Sequence, residues 1–340
     1  MPRLILHVGM PKCGSSAIQH YLASLDNRHR ALGICYPQAY RTPGGYRNHK
    51  PLVGLKGTDL TDAVERISRE VSAIPDCRIV IVSAEDWCLK SLLKSAREFC
   101  DHFCKRNPEY QAEVVAYFRN PFTYIESCFA QMITDGLLQV NTFRFFTETD
   151  GTIDDFVRIA SQRQSYPIVS IAAAADLIRS SLGRIPVSFR SIESEDAVGG
   201  GLLPDLCSLI DVPVDERLSG SRRNTRKTLR QIVALKRARC VMSRQEFMSL
   251  RQLILHHPAC QTDDGPKRLN GIHVGEQLAA TIREAIEANK SKLEGMFAVG
   301  VSGLCRDQWL PIDCDSVMDE TEADSIIAEV RELGRELISA

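Results

Sequence analysis

Apolar residues along the chain fall into two patterns. In one they form short runs: residues 3–8, Arg78–Ser83, then residues 113–118 and 185–190. Runs of this length without alternation predict strands buried on both faces of a parallel sheet. In the other they recur every three or four positions, as helices do. Ala17, Ile18, Tyr21, Leu22 and Leu25 make one such stripe. Leu60, Val64, Ile67, Val71 and Ile74 make a second, and Leu89, Leu92, Leu93, Ala96, Phe99 and Phe103 a third. Pro75-Asp76, Asn107-Pro108 and Arg119-Asn120-Pro121 interrupt these patterns, and a helix is predicted from there to about 134. Further helices are predicted over 152–162, 170–182 and 201–210. The Gly-, Pro-, Tyr- and base-rich stretch 33–58 reads as loop. Strands alternating with helices predict an α/β fold: a central parallel sheet flanked by helices, with a helix-rich C-terminal half.

Composition narrows the function classes. The 340 residues are 44% apolar and 25% charged, and the net charge is -1. A disordered or collagen-like chain is excluded, and the balance does not suit a nucleic-acid coat or a polybasic membrane binder. No apolar stretch approaches the roughly 20 residues that span a bilayer, and no signal-peptide pattern is present. The twelve cysteines are scattered without a C-x-x-C pair, which fits buried reduced thiols better than a zinc site. These features together lead to the expectation of a soluble cytoplasmic protein. Charge is uneven late in the chain. Residues 218–239 hold eight basic residues and no acid, whereas 311–340 hold nine acids and two arginines. The acidic segment either pairs with the basic one or forms a plain surface helix. One main domain over 1–310 and an acidic helical tail over 311–340 are expected.

Two segments carry candidate chemistry. The first is the loop Gly9-Met10-Pro11-Lys12-Cys13-Gly14-Ser15-Ser16 between the first strand and the first helix. Its glycines stand at the first and sixth positions, as in a Walker A loop, but its lysine precedes the second glycine. A tight loop of this kind aims backbone N–H groups into one concavity at a helix N-terminus, which favours an anion. Lys12 can reach that concavity, and the hydroxyls of Ser15 and Ser16 can donate to it. The second segment starts at the end of the third strand, with Arg119 followed eight residues later by Ser127. An arginine at the carboxyl end of a strand sits where ligands bind in open α/β sheets, and its fork suits a phosphate.

Together these segments resemble the sulfotransferases that use 3′-phosphoadenosine 5′-phosphosulfate (PAPS). Pro11-Lys12-Cys13-Gly14-Ser15-Ser16 is similar to the family's 5′-phosphosulfate loop, with Cys13 where a hydroxyl residue is frequent. Arg119 and Ser127 are similar to its 3′-phosphate pair. The longer string from His7 to Gln19 is like bacterial members in particular. The likeness is firm over 1–135, weaker to about 235 and faint beyond.

The resemblance implies a P-loop-like fold and a metal-free transfer of a sulfuryl group from PAPS to a hydroxyl or amine. Lys12 would act at the phosphosulfate, with Pro11, Cys13, Gly14, Ser15 and Ser16 around the 5′-phosphate. Arg119 and Ser127 would hold the 3′-phosphate, and the basic stretch around Arg222 and Arg223 would close over the nucleotide. A base for the acceptor proton is worth roughly 10²–10⁴-fold in rate. Glu85, just past the second apolar run, is the first candidate and His49 the alternative. The acceptor (a glycan, a lipid-linked sugar or a small metabolite) is not legible, although loops 36–58 and 135–150 are expected to shape its pocket. Two other readings compete. Glu85-Asp86 after an apolar strand faintly resembles the acid pair of an ATP- and Mg²⁺-dependent P-loop phosphotransferase. The basic stretch alone would suit a nucleic-acid module, but the neutral chain and the lack of interleaved aromatics argue against it.

Overall fold

The computed structural model describes residues 1–24, 26–44, 47–137, 140–162, 167–215, 227–262, 265 and 267–339. Five strands form one parallel sheet: β1 (Arg3–His7), β2 (Ile34–Cys35), β3 (Ile79–Ser83), β4 (Gln111–Phe118) and β5 (Val187–Ser191), in the order β2-β3-β1-β4-β5. Fifteen helices follow in chain order among the described residues. They are α1 (Ser15–Ser24), α2 (Asp26–Ala31), α3 (Gly57–Ser72), α4 (Leu93–Arg106), α5 (Pro121–Asp135), α6 (Thr142–Glu148), α7 (Ile153–Gln162) and α8 (Ile171–Leu182). The rest are α9 (Leu202–Leu209), α10 (Leu229–Val241), α11 (Arg244–His256), α12 (Glu276–Glu287), α13 (Lys290–Met296), α14 (Ser302–Cys305) and α15 (Glu320–Ser339). The chain is thus α/β, with a parallel sheet flanked by helices. No described helix is long and apolar enough to cross a membrane.

The backbone divides into two compact units. The first comprises Met1–Pro121, Ser170–Ser221 and Ile286–Arg306; the second comprises Phe122–Val169, Arg222–Ala285 and Asp307–Ala340. The first unit holds the sheet. Leu4, Leu6, Val80, Val82 and Val114 are fully buried, as a sheet covered on both faces requires. On α4, Phe99 and Phe103 are also fully buried, and Trp87 lies 5.8 Å from Phe99, centroid to centroid. Each such ring contributes about 2–3 kcal/mol of transfer free energy.

Register decides where the strands end. His7 lies opposite Ser83 on one side and Val115 on the other, so β4 runs three residues further than β1. From β1 the chain moves to the β2–β3 side, and from β4 it moves to the β5 side. The exits of these two neighbours therefore flank the crevice where a parallel sheet leaves room for a ligand.

The second unit is helical among its described residues. Phe129 packs on Phe156 and Phe145, at centroid distances of 5.7 and 6.3 Å. A capping box between Thr228 and Gln231 starts α10. Helix α15, within the expected acidic tail, is bound to the described part of the basic stretch. Arg230 pairs with Glu322, and Arg237 pairs with Asp324 (2.8 Å) and Glu320 (3.3 Å). Pairing, rather than an isolated surface helix, is the outcome.

A strand, a 3-10 turn (Lys50–Leu52) and a helix arise where loop was expected. β2 is only two residues long, too short for any periodicity to show, and adds to the β3 edge. Helix α6 falls in the 135–150 stretch, where the Asn141 side chain accepts from Arg144 N–H (3.2 Å) and caps it. All twelve cysteines are free thiols, seven of them buried.

Candidate functional site

The exit of β1 is shaped by what two glycines lack. A Cβ at Gly9 would lie 2.1 Å from Ser15 Oγ and 3.2 Å from Glu85 Cβ. Gly14 has φ +85°, and a Cβ there would meet Leu202 Cδ2 at 2.2 Å. Glycine lets the loop close on Ser15 at the first point and turn left-handed beside Leu202 at the second. Between them Lys12 adopts φ +63°, a left-handed conformation that a non-glycine residue holds at a cost of about 1–3 kcal/mol.

Helix α1 opens on this loop. Its first backbone donors with partners are Ala17 and Ile18, both bonded to Gly14 O (2.9 and 3.1 Å), which leaves Ser15 and Ser16 N–H at the open end. Ser15 Oγ is buried and has no hydrogen-bond partner among the described residues. A buried orphan hydroxyl costs about 1–3 kcal/mol, so it marks a place where a guest is expected to bond. Pro11 and Cys13 are buried, while Ser16 is exposed.

Beneath the loop lies a buried polar network. His7 Nδ1 is 2.8 Å from Ser83 Oγ, which also accepts from Gln19 Nε2 (3.1 Å). His7 Nε2 has no partner among the described residues, and burial pushes the ring's pKa down to about 4. His7 is thus buried with one ring nitrogen bonded.

The two base candidates are placed differently. His49 is fully buried: Nε2 donates to Pro37 O (2.9 Å), and Nδ1 accepts from Ser83 N–H (3.2 Å). Burial lowers its pKa to about 4. Both ring nitrogens are therefore committed, and the ring works as a neutral bolt between the loop after β2 and the end of β3. Glu85 begins a single 3-10 turn, Glu85–Cys88, two residues beyond β3. Burial pushes its carboxyl above the usual range, and Asp86 adds to that. Lys50 and Lys12 act in the opposite direction. Glu85 and Lys12 thus share one neighbourhood at the ends of β3 and β1.

The exit of β4 is closed by the chain itself. Asn120 N–H donates to Glu193 Oε1 (2.8 Å), and its Nδ2 donates to the carbonyls of Gly303 (2.9 Å), Leu304 (3.2 Å) and Arg306 (2.8 Å). Asp196 accepts from Ser302 Oγ, Gly303 N and Leu304 N at 2.9–3.0 Å. Arg119, half-buried, precedes this knot at the tip of β4, in the same unit as the β1 loop. Ser127 lies two turns along α5, within the second unit. Arg222 and Arg223 lie outside the described residues.

Leu202, which sequence reasoning missed, is anchored from behind. Asp205, fully buried on the first turn of α9, is gripped by Arg190 (Nη2–Oδ1 2.7 Å) and accepts from Tyr117 Oη and Val198 N, both at 2.9 Å. Only its place after Gly199-Gly200-Gly201 could have drawn attention to it.

Comparison with protein-family models, with curated proteins and with solved structures found no match to this chain.

Proposed function

We propose that the chain is a sulfotransferase with a P-loop-like fold, taking its sulfuryl group from PAPS and passing it to a hydroxyl or amine of an acceptor. The observation that carries this reading is the β1 exit loop. It combines two space-limited glycines, a left-handed Lys12, the orphaned Ser15 Oγ and the open N-terminus of α1, whose backbone donors suit an anion.

The donor supplies a sulfuryl group carried on a phosphate. As the acceptor oxygen bonds to sulfur, the sulfur–oxygen bond to that phosphate breaks. Glu85 receives the acceptor's proton, its raised pKa making it a better base than an exposed carboxylate. Lys12 and the N–H groups of Ser15 and Ser16 hold the charge that collects on the leaving phosphate. Arg119, at the neighbouring strand exit, is assigned to the second phosphate of the adenosine bisphosphate product.

An ATP- and Mg²⁺-dependent phosphotransferase is the second reading, favoured by the Glu85-Asp86 pair after β3. Two features weigh against it. A serine follows Gly14 where the phosphate-binding lysine belongs, and Asp86 is engaged by Lys50 (3.3 Å). Calorimetry with 3′-phosphoadenosine 5′-phosphate separates the two. Lys12→Ala and Arg119→Ala are each expected to weaken its binding about 10–100-fold, the loss of one charge-assisted contact. Equal affinity in all three proteins would remove the assignment, and binding of ATP only with Mg²⁺ would favour the second reading.

A further inference from the structure

The segment before the short 3-10 turn Lys50–Leu52 is held with unusual firmness for a surface loop. Asn48 and His49 are both buried. Asn48 Oδ1 accepts from Thr42 Oγ1 (2.8 Å) and from Lys50 N–H (3.2 Å), while Asn48 O accepts from Thr42 N–H (2.7 Å). His49 N–H donates to Ser83 O (2.8 Å), besides the two bonds of its ring. These bonds tie the backbone beside Lys50 to Ser83, which precedes the Glu85 turn by two residues.

The side chain mounted there is itself 65% exposed, and its Nζ lies 3.3 Å from Asp86 Oδ1. An exposed ion pair adds little to stability, so the mounting does not serve the fold through this pair. What the pair does reach is Glu85. The charged groups that act on Glu85 are Asp86 on its own turn, Lys50 from the 48–52 segment and Lys12 from the β1 loop. Gly9 and Ser15, packed beside it, carry no charge, and His49 is held neutral.

We propose that Lys50 is a positioning residue for Glu85. It holds Asp86 in an ion pair and, together with Lys12, sets positive charge beside the Glu85 carboxyl, so that Glu85 stands ready to take a proton from the acceptor. The proposal rests on the reading of Glu85 as the base. It assigns to the 36–58 loop a duty at the proton-transfer centre besides any contact with the acceptor. Lys12 alone would serve the donor; the second ammonium opposes the burial and the Asp86 charge, which both favour the protonated form of this carboxyl.

The test is titration of the Glu85 carboxyl carbon by NMR in protein with ¹³C-labelled glutamate, the signal being identified by its absence in Glu85→Gln. In Lys50→Met the midpoint is expected to rise by about half a pH unit or more, as removal of a nearby cation requires. Lys50→Arg should restore it, and Asp86→Asn should lower it. A midpoint unmoved in Lys50→Met, or not restored by Lys50→Arg, overturns the proposal. Calorimetry with 3′-phosphoadenosine 5′-phosphate on the same proteins keeps the two ideas apart. If the wild type fails to bind it, the sulfotransferase reading falls, while the titration still decides what Lys50 does to Glu85.

Discussion

The neighbouring strands β1 and β4 end in opposite ways. After β4, Asn120 meets Glu193 and the carbonyls of Gly303, Leu304 and Arg306, and Asp196 meets donors from Ser302 to Leu304, so the chain answers its own polar groups. After β1, a buried hydroxyl goes unanswered, a lysine holds a strained backbone angle and a helix N-terminus stays open. Folding pressure alone would have closed both. The contrast supports the proposed site at the β1 exit, since strain and unsatisfied polar groups gathered in one loop are what a bound guest would offset.

Acid should expose this contrast most strongly. His7 and His49 both sit behind the β1 side of the rim, each held neutral with a pKa near 4 against 6.5 when unfolded. Their contribution to stability is intact above about pH 6.5 and is lost as the pH falls from there toward 4, by about 3 kcal/mol per ring. Urea unfolding across pH 4–7 should show this slope, and His49→Gln should flatten part of it. A profile that is level over this range would mean that the rings titrate alike in the folded and unfolded chain, and that the fold does not hold them neutral.

Asn120→Ala comes next. It removes one donor group from three carbonyls and should cost about 2–3 kcal/mol in denaturant unfolding. A loss below about 0.5 kcal/mol would show that water replaces the amide and that the β4 rim is open to solvent. Gly14→Ala is expected to cost less in stability, about 1–2 kcal/mol from its positive φ and the contact with Leu202. Its binding of 3′-phosphoadenosine 5′-phosphate should fall by tenfold or more; unchanged binding would separate the loop from the anion.

The smallest effect is the most telling in sign. Ser15→Ala deletes the orphan hydroxyl, so the ligand-free protein should gain up to about 1 kcal/mol while binding of the bisphosphate weakens several-fold. A protein destabilised by the change would mean that Ser15 Oγ already has a partner, and the difference between the two rims would disappear.

Much of this was readable from residue order. β1, β3 and β4 appear as apolar runs because strands covered on both faces have no polar face to alternate with. Helices α3 and α4 appear as stripes because one face of each is buried. The loop from Gly9 to Ser16 declares itself through local chemistry: glycine, lysine and serine at a strand-to-helix turn. β2 did not show, since two residues carry no period and their strand state comes from pairing with β3. Nor did helix α6, whose short sequence gains its cap from Asn141.

The candidate site divides along the same line. Residue types and spacing were enough to pick out Lys12, Gly14, Ser15, Glu85 and Arg119, because each is set by the turn or strand end it belongs to. Only the packed fold separates Glu85 from His49, since the ring's two bonds come from Pro37 and Ser83, 12 and 34 residues away along the chain. The place of Leu202 against Gly14 and of Lys50 beside Asp86 is likewise a matter of distant segments meeting. Local pattern governs what a short stretch can become. Which polar atoms end up buried, answered or left waiting depends on contacts between segments far apart in the chain, and no window of residues contains them.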